Sequence, residues 1–390
     1  MKQPKTLHIS CTGNGRSQNE DFALTNLEQG IHVICDGGGK SDKGRLAAEF
    51  VAKKLQDLLV SSNHEFHERT TELSGPKRLQ AMQEMMLEAF EEVQAGFMKI
   101  GTQSASLEGS HVSCISIWLN DHFAILAHLG NCRAYLYRSG KIYTLTRDHV
   151  FEGEAAGALV RSFGPQFSTP DLLKIEFEPG DLFFLMSDGA HSSLAGDGTV
   201  KLVQAMLQGR DVKNILGQCA YASSDDSTLV QIQFPKDEVA GLVSASTRVE
   251  LLSKTPLCKH MDFTQKSHIA ALCQVEDFEP QTILVQEDTD GDCMYLVVKG
   301  TLEIQMRGQF IAYKKQGEFL GEVSLIRMGK RTATAIAKDK VTLLTLQRSD
   351  LREAFKRDIE LERNFYRGML EMVLDRMIEQ GREIARMRSV

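Results

Sequence analysis

Four acidic residues, each standing where an apolar strand meets a turn, limit how this chain can fold. Asp36 ends the run Ile31-His32-Val33-Ile34-Cys35 and is followed by Gly37, Gly38 and Gly39. Such a strand carries one acid to the rim of a sheet, with bare backbone beside it that can approach a ligand closely. Asp21 (preceded by Glu20), Asp188 in LFFLMSDG and Asp225 in SSDDSTLVQIQF occupy comparable places. Four such ends can converge on one site, and Asp36 is thereby a candidate metal ligand.

Around these acids, strands are predicted at 6–10, 22–26 and 31–35, separated by Gly-rich or Asn-rich turns. Two amphipathic helices follow. Leu46, Phe50, Val51, Leu55 and Leu58 keep a 3.6-residue spacing, and after Pro76 so do Leu79, Met82, Met86, Ala89, Phe90 and Val93. Strands at 111–119, 123–129, 133–137 and 141–145 come next, with Arg138-Ser139-Gly140 as a hairpin turn. Strands at 172–177 and 182–186, helices near 200–207 and 212–222, and a strand at 228–234 complete this part. Consecutive strands with paired helices between them predict an α+β architecture of two packed sheets flanked by helices.

With 390 residues, 42% of them hydrophobic, the chain can bury two cores. The formal charge of −7 is concentrated in residues 1–236, where 22 Lys and Arg face 28 Asp and Glu. That balance suits a cation site and argues against nucleic acid as a partner. Eight cysteines show neither a CxxC pair nor a zinc spacing, as expected of reduced thiols in a cytoplasmic protein. No apolar run approaches the ~20 residues of a membrane span, so no membrane partner is expected.

Six pieces occur in a telling order: Arg16-Ser17-Gln18-Asn19-Glu20-Asp21, Asp36-Gly37-Gly38-Gly39, LGNCRAYLYRSGKIYTLTRDH, LVRSFG, Ser187-Asp188-Gly189 and Asp225-Asp226-Ser227-Thr228. On these, residues 1–236 resemble the metal-dependent protein phosphatases of type 2C in their compact bacterial form. The resemblance implies a four-layer α-β-β-α sandwich with two Mn2+ or Mg2+ ions between its sheets. A phosphate monoester is anionic and resists water, and two hard divalent ions ~3.5–4 Å apart both neutralise its charge and lower the pKa of a water. Such ions choose oxygen ligands, which Asp36, the Gly37 carbonyl, Asp188 and Asp225 offer. By resemblance Asp36 bridges both ions, Asp188 and Asp225 complete one, and Glu20 and Asp21 serve the other, directly or through water. Arg16 falls where the family holds the substrate phosphate, a task suited to a bidentate guanidinium. Arg16, Asp36 and Asp188 are the catalytic candidates.

The chain departs from the family at several points. Asn131 stands where an acid usually helps to hold a third metal, Gly38 where some members carry a proton-donating His, and Asp226 where an Asn is usual. The segment 148–159, the place of the family's flap, is short and contains Gly153 and Gly157.

Residues 237–250 read as a linker and 251–390 as a second domain. Helical spacing in LLSKTPLCKHMDFTQKSHIAALC gives way to short strands broken at Asp290-Gly291 and Lys299-Gly300, the pattern of a small antiparallel β-barrel. The run Gly317-Glu318-Phe319-Leu320-Gly321-Glu322-Val323-Ser324-Leu325-Ile326, followed by Arg331-Thr332-Ala333-Thr334-Ala335, resembles the phosphate-binding cassette of cyclic nucleotide-binding domains, a jelly-roll fold. A Gly-permitted turn into a short helix aims backbone N–H groups at an anion. Arg331 can close on the same cyclic phosphate, and Glu322 can accept a hydrogen bond from a ribose hydroxyl. Gly321, Glu322, Val323, Ser324, Arg331 and Thr332 are the expected contacts. Lys330, in place of the family's proline, adds positive potential near the phosphate. Thr332 suits cyclic AMP or cyclic GMP, and cyclic AMP is the expected ligand.

From Ser349, as N-cap, the tail reads as helix almost to its end. Such a helix lids the nucleotide or joins a second copy in a homodimer. The expected function is a metal-dependent protein serine/threonine phosphatase, acting on a phosphoprotein and set by cyclic nucleotide. The alternative is a nucleotide-sensing adaptor that binds phosphoprotein without turning it over.

Overall fold

The computed structural model describes residues 4–39, 43–70, 75–103, 107–120, 122–151, 158–192, 198–208, 210–235, 243–326 and 329–387. The chain divides into two units, Met1–Ala240 and Gly241–Val390. The first contains β1 (Lys5–Cys11), β2 (Asp21–Asn26), β3 (Ile31–Gly38), α1 (Lys43–Thr70), α2 (Gly75–Gln103), β4 (His111–Asn120), β5 (Phe123–Leu129), β6 (Arg133–Arg138) and β7 (Lys141–Thr144). It continues with β8 (Asp171–Glu176), β9 (Leu182–Met186), α3 (Asp188–Ser192), α4 (Gly198–Leu207), α5 (Val212–Ser223) and β10 (Ser227–Gln233). Its strands form two antiparallel sheets, β2-β3-β4-β5-β8 and β1-β10-β9-β6-β7.

Burial explains why the central strands lack polar alternation. β4 and β5 are buried along nearly their whole length, because one face meets helices and the other meets the second sheet. Of the predicted α1 stripe, Val51 and Leu55 are buried, Phe50 and Leu58 are half-buried and Leu46 is exposed, since the buried face runs instead through Val51, Ala52, Leu55 and Leu59; in α2, Met86, Phe90 and Val93 are almost wholly buried at the spacing read from the sequence. Each such Leu, Met or Phe contributes roughly 1.5–3 kcal/mol by leaving water. α1 packs on β2, β3 and β4 and α2 on β5, while α3 and α5 pack on β10, which gives the α-β-β-α layering. The β6–β7 hairpin turns through Ser139 and Gly140, both at positive φ (51° and 81°), as a two-residue primed turn requires.

One strand boundary differs from the sequence reading. The apolar run stops at Cys35, yet β3 continues through Asp36 and Gly37 to Gly38. Neighbours on both sides extend the ladder, for Asp36 lies opposite Asp21 on β2 and opposite Ser113 on β4. The acid therefore sits inside the sheet, where its backbone is held from two directions.

The second unit opens with α6 (Ala245–Ser253), a single 3-10 turn at Pro256–Cys258 and α7 (Phe263–Leu272). Asp262 starts α7 with a capping box, accepting from Gln265 N at 2.9 Å. Then come β11 (Gln274–Phe278), β12 (Ile283–Val285), β13 (Asp290–Gly291), β14 (Cys293–Lys299), β15 (Leu302–Met306), β16 (Gln309–Lys314), β17 (Phe319–Leu320), α8 (Val323–Ile326), β18 (Gly329–Lys330), β19 (Thr334–Ala337) and β20 (Val341–Gln347). The strands pair as β11-β20-β14-β17, β12-β19-β15-β16 and β13-β18, antiparallel sheets of the jelly-roll kind. Among the described residues no ladder closes them into a continuous barrel. Val297, Leu302, Ala337, Val341 and Leu343 fill the space between strands, and Leu344, Leu346 and Leu296 turn toward the helices.

Two boundaries in this unit also move. Ser244 caps α6 by accepting from Thr247 N at 3.1 Å, so residues from 245 onward belong to a helix of the second unit; 237–242 lie outside the described residues. In the tail, α9 (Arg348–Arg357) begins before Ser349, with Gln347 at its N-cap making no side-chain bond. The helix then breaks at Asp358, which adopts φ −137° and ψ 92° and caps α10 (Ile359–Met387) by accepting from Leu361 N at 2.8 Å. Leu361, Phe365, Met369 and Met372 are buried, whereas Leu370, Val373, Leu374 and Met377 are exposed. Among the described residues no helix is long and apolar enough to cross a membrane.

Candidate metal centre and anion pocket

In the first unit, Arg16, Glu20, Asp36, Gly37, Asp188 and Asp225 line one cavity of about 520 Å3. Each sheet supplies part of the set. Asp36 comes from within β3, Asp188 from the step between β9 and α3, and Asp225 from the turn where Ser224, at φ 56°, stops α5. Asp21 is not in the lining. It stands in the wall behind, 3% exposed, with Oδ2 accepting from Ser187 Oγ at 2.7 Å. Glycine is required at Gly37, since a side chain there would collide with the backbone of Gly44.

The electrostatics are those of a site built for cations. Burial, and then Asp188, Asp21 and Asp225, push the Asp36 carboxyl well above the usual range. Burial does the same to Asp21, with Asp226 and Asp188 adding to it; burial, and then Asp188, also raise Asp225, against the opposing pull of Arg16. Asp21 Oδ1, Asp188 Oδ1 and Asn131 Oδ1 are buried without a hydrogen-bond partner. Two orphaned carboxylate oxygens from facing sheets, with a neutral amide oxygen beside them, fit hard divalent ions, which would satisfy both the lone pairs and the charge.

Asp226 is a residue whose part the sequence did not show. It is 1% exposed, and its carboxylate accepts from Gly13 N at 2.8 Å, Glu20 N at 2.7 Å and Arg16 Nη1 at 3.1 Å. It thereby fixes the Gly13–Glu20 loop against β10. Arg16 also pairs with Glu20, at 3.3 Å, and with Asp225. Burial alone would lower the Arg16 pKa; Asp225, Asp226 and Glu20 outweigh it and raise it. Asn131 faces the site, donating from Nδ2 to Asp188 Oδ2 at 2.8 Å.

A second cluster was not anticipated. The potential ligand atoms of His128, His149 and Asp171 lie within 4.8 Å of one another. Arg161 already fills that position: Nη1 is 3.0 Å from His149 Nε2 and 2.8 Å from Asp171 Oδ1. Gly130 N donates to His149 Nδ1 at 3.1 Å, and His149 N to Gly130 O at 2.8 Å. Burial, with His149 beside it, lowers the pKa of His128 to about 3. The cluster is an internal brace for the Gly130-Asn131 turn, and through it for Asn131.

In the second unit, the predicted residues also gather. Gly321 turns at φ 81° between β17 and α8, and Glu322, Ser324 and Arg331 are 7–8% exposed. Side chains at Gly291 or Gly321 would run into the Arg331 guanidinium, which shows how closely these turns approach it. Arg331 Nη2 reaches Cys293 Sγ at 3.3 Å, while Nη1 is buried with no partner. A guanidinium buried with an unused donor is prepared for an anion. Val323 and Thr332 are exposed at the rim. Lys330 pairs with Asp290 at 2.9 Å in an exposed ion pair beside the pocket.

The family model of Protein phosphatase 2C matches residues 8–155, and that of the Cyclic nucleotide-binding domain matches residues 275–358. The chain carries both domains. A solved structure of a bacterial serine phosphatase aligns with a TM-score of 0.51 at 20% identity, over 60% of this chain and 100% of that one. A cAMP-dependent protein kinase regulatory subunit of Yarrowia lipolytica is 32% identical over 97 residues, 24% of this chain and 26% of its own length. A cGMP-dependent protein kinase of Toxoplasma gondii is 26% identical over 209 residues, 50% of this chain and 21% of its own length. The chain thus spans only about a fifth to a quarter of the length of these relatives. The matched phosphatase stretch holds Arg16, Glu20, Asp21, Asp36 and Asn131, and Asp188 and Asp225 follow it into the same cavity. The cyclic nucleotide-binding match spans residues 321–332 entirely.

Proposed function

We propose that this protein is a metal-dependent protein serine/threonine phosphatase whose second domain binds a cyclic nucleotide and sets the activity of the first. The observation that carries the reading is the convergence of Asp36, Asp188 and Asp225 from two sheets on one cavity, with orphaned buried oxygens beside them. Asp36, the Gly37 carbonyl, Asp188 and Asp225, with Glu20 and Asp21 behind or beside them, would hold two Mn2+ or Mg2+ ions, which when bound polarise water and phosphate. Arg16 holds the substrate phosphate, exchanging its present carboxylate partners for it. Residues 1–236 form the catalytic domain, and the nucleotide domain follows the connection near 237–242. Cyclic AMP is preferred over cyclic GMP in this reading, and since relatives of both kinds match this chain, titration with each nucleotide decides the order.

Phosphopeptide hydrolysis, with and without Mn2+ and at zero or saturating cyclic AMP and cyclic GMP, tests the reading. Turnover should require metal, and nucleotide should change it by ~5–150-fold, the range of a ~1–3 kcal/mol coupling. Identical kinetics in all nucleotide states would remove the regulatory part. Absence of turnover at any metal concentration would favour the adaptor.

Asn131 gives a further expected result. Asn131→Asp replaces a donor to Asp188 with a sixth acid beside Glu20, Asp21, Asp36, Asp188 and Asp225, so the metal-free variant should melt lower than the parent. The added hard ligand should also move half-saturation by Mn2+ about tenfold lower, roughly 1.4 kcal/mol. A Mn2+ titration of the melting temperature reads both effects, and an unchanged midpoint would remove Asn131 from the metal site.

A further inference from the structure

Asp188 can offer the cavity one oxygen because its other oxygen is held. Asn131 donates from Nδ2 to Asp188 Oδ2 at 2.8 Å, while Asp188 Oδ1 stays buried with no partner. A carboxylate tied at one oxygen presents the other in a fixed direction, and outer groups that orient a ligand in this way carry roughly 10–100-fold in metal affinity or activity. Whatever holds Asn131 therefore acts on the ion.

Bonds on several sides fix the turn that carries Asn131. Ser113 Oγ accepts from Asn131 N at 2.9 Å and from Cys132 N at 3.0 Å, and His191 donates from Nε2 to Asn131 O at 2.9 Å. His149 takes both polar groups of the preceding residue. Its backbone N donates to Gly130 O at 2.8 Å, and its ring Nδ1 accepts from Gly130 N at 3.1 Å. Gly130 is buried at φ 115°, and a side chain there would collide with Ser113, so this amide is placed by a backbone that glycine alone adopts readily.

The direction of the Gly130 bond decides the tautomer of His149. A backbone N–H can only donate, so Nδ1 carries no proton and the ring proton sits on Nε2. Nε2 lies 2.9 Å from Asp171 Oδ2, and Arg161 Nη1 donates to Asp171 Oδ1 at 2.8 Å. Asp171 thus receives both donors and keeps the accepting side of the imidazole turned toward Gly130. The His128 ring, 4.7 Å away and buried, packs against the same imidazole.

We propose that His149 is a positioning residue of the metal centre, which through the Gly130 amide sets where Asn131 holds Asp188; the inference rests on the phosphatase reading of the cavity. The line from Asp171 through His149, Gly130 and Asn131 ends on the Asp188 carboxylate. Its effect is on metal affinity, since it aims a ligand and touches neither substrate nor ion.

Melting curves of the full chain across a Mn2+ titration, with phosphopeptide turnover beside them, separate this role from simple bracing. His149→Gln puts an amide where Nε2 was and keeps a donor for Asp171, but leaves the Gly130 N–H without its acceptor. Half-saturating Mn2+ should rise about tenfold, while kcat recovers toward the parental value once Mn2+ saturates. His149→Asn puts an oxygen where Nδ1 was and gives up Asp171 instead; it should melt lower in EDTA yet keep a midpoint near the parent's. Were His149 only a brace, both midpoints would follow the loss of melting temperature, and that result would overturn the proposal. Asn131→Ala should raise the midpoint by itself, and adding His149→Gln should raise it no further, because the effect runs through Asn131. A further tenfold rise in the double variant, or a parental midpoint in His149→Gln, would likewise overturn the proposal and leave the phosphatase reading in place. A parent whose melting temperature ignores Mn2+ would overturn that reading and the proposal with it. The parent also gives a check independent of any variant's folding: ring-nitrogen resonances of labelled histidine should show His149 protonated at Nε2 alone, and a proton on Nδ1 would sink the proposal.

Discussion

Asp36→Asn should abolish turnover and at the same time make the metal-free protein more stable. Both signs come from one carboxylate. Asp36 is buried and faces Asp188, Asp21 and Asp225, which together with burial raise its pKa. A group whose pKa is raised on folding contributes stability that is fully present below its unfolded value and is lost as pH rises through its folded value. In EDTA, the parent should therefore weaken as pH rises above the ordinary carboxylate range, and Mn2+ should reverse the loss. The Asn variant lacks that charge, so in EDTA at neutral pH it should gain about 0.5–2 kcal/mol, the gain common where a strained functional group is relieved. With metal, the missing negative ligand should reduce phosphopeptide turnover by at least about a hundredfold. More than about a tenth of parental turnover would rule out Asp36 as a bridging ligand.

What could be read from the sequence was local. Helical spacing in α1 and α2, apolar runs in β4 and β5, and the Ser139-Gly140 turn each express a period or a φ preference within a few residues. Any one of the acids Asp36, Asp188 and Asp225 would read as a turn residue; they were visible because they recur together, each where an apolar strand meets a turn. Long-range pairing was not visible. Nothing local extends β3 through Asp36; the ladders to Asp21 and Ser113 do so. Asp226 looks like a turn residue until Gly13 and Glu20, more than 200 positions earlier, donate to it. The cluster of His128, His149, Arg161 and Asp171 draws on β5, β8 and two loops, so no spacing announces it. The break at Asp358 was hidden because Asp suits a helix start as well as a helix surface, and only its extended backbone decides. Lys330 shows the same limit in charge: its neighbour Asp290 lies on another strand.

Arg331→Ala should cost about 3 kcal/mol of cyclic nucleotide binding, or roughly a hundredfold in Kd. The guanidinium is 8% exposed and keeps Nη1 unpaired, so its desolvation is already complete in the free protein and an arriving cyclic phosphate finds a donor that need not leave water. Much of the binding free energy should therefore pass through this one contact. Arg331→Lys keeps the charge but loses the fork and the reach of two nitrogens, and should fall between the two, about tenfold weaker than the parent. Gly321→Ala supplies a control on geometry. Gly321 sits at φ 81°, and an added Cβ would press on Arg331 Nη1, so affinity should drop although no charge is removed. Calorimetric titration with cyclic AMP and cyclic GMP reads all three, with melting curves to show that each variant folds. The Ala variant removes a buried, partly unsatisfied cation, so its fold should not weaken in proportion to its affinity. If Arg331→Ala bound either nucleotide within about threefold of the parent, less than ~0.7 kcal/mol, the anion would lie elsewhere and the turn from Gly321 to Thr332 would be only a structural corner.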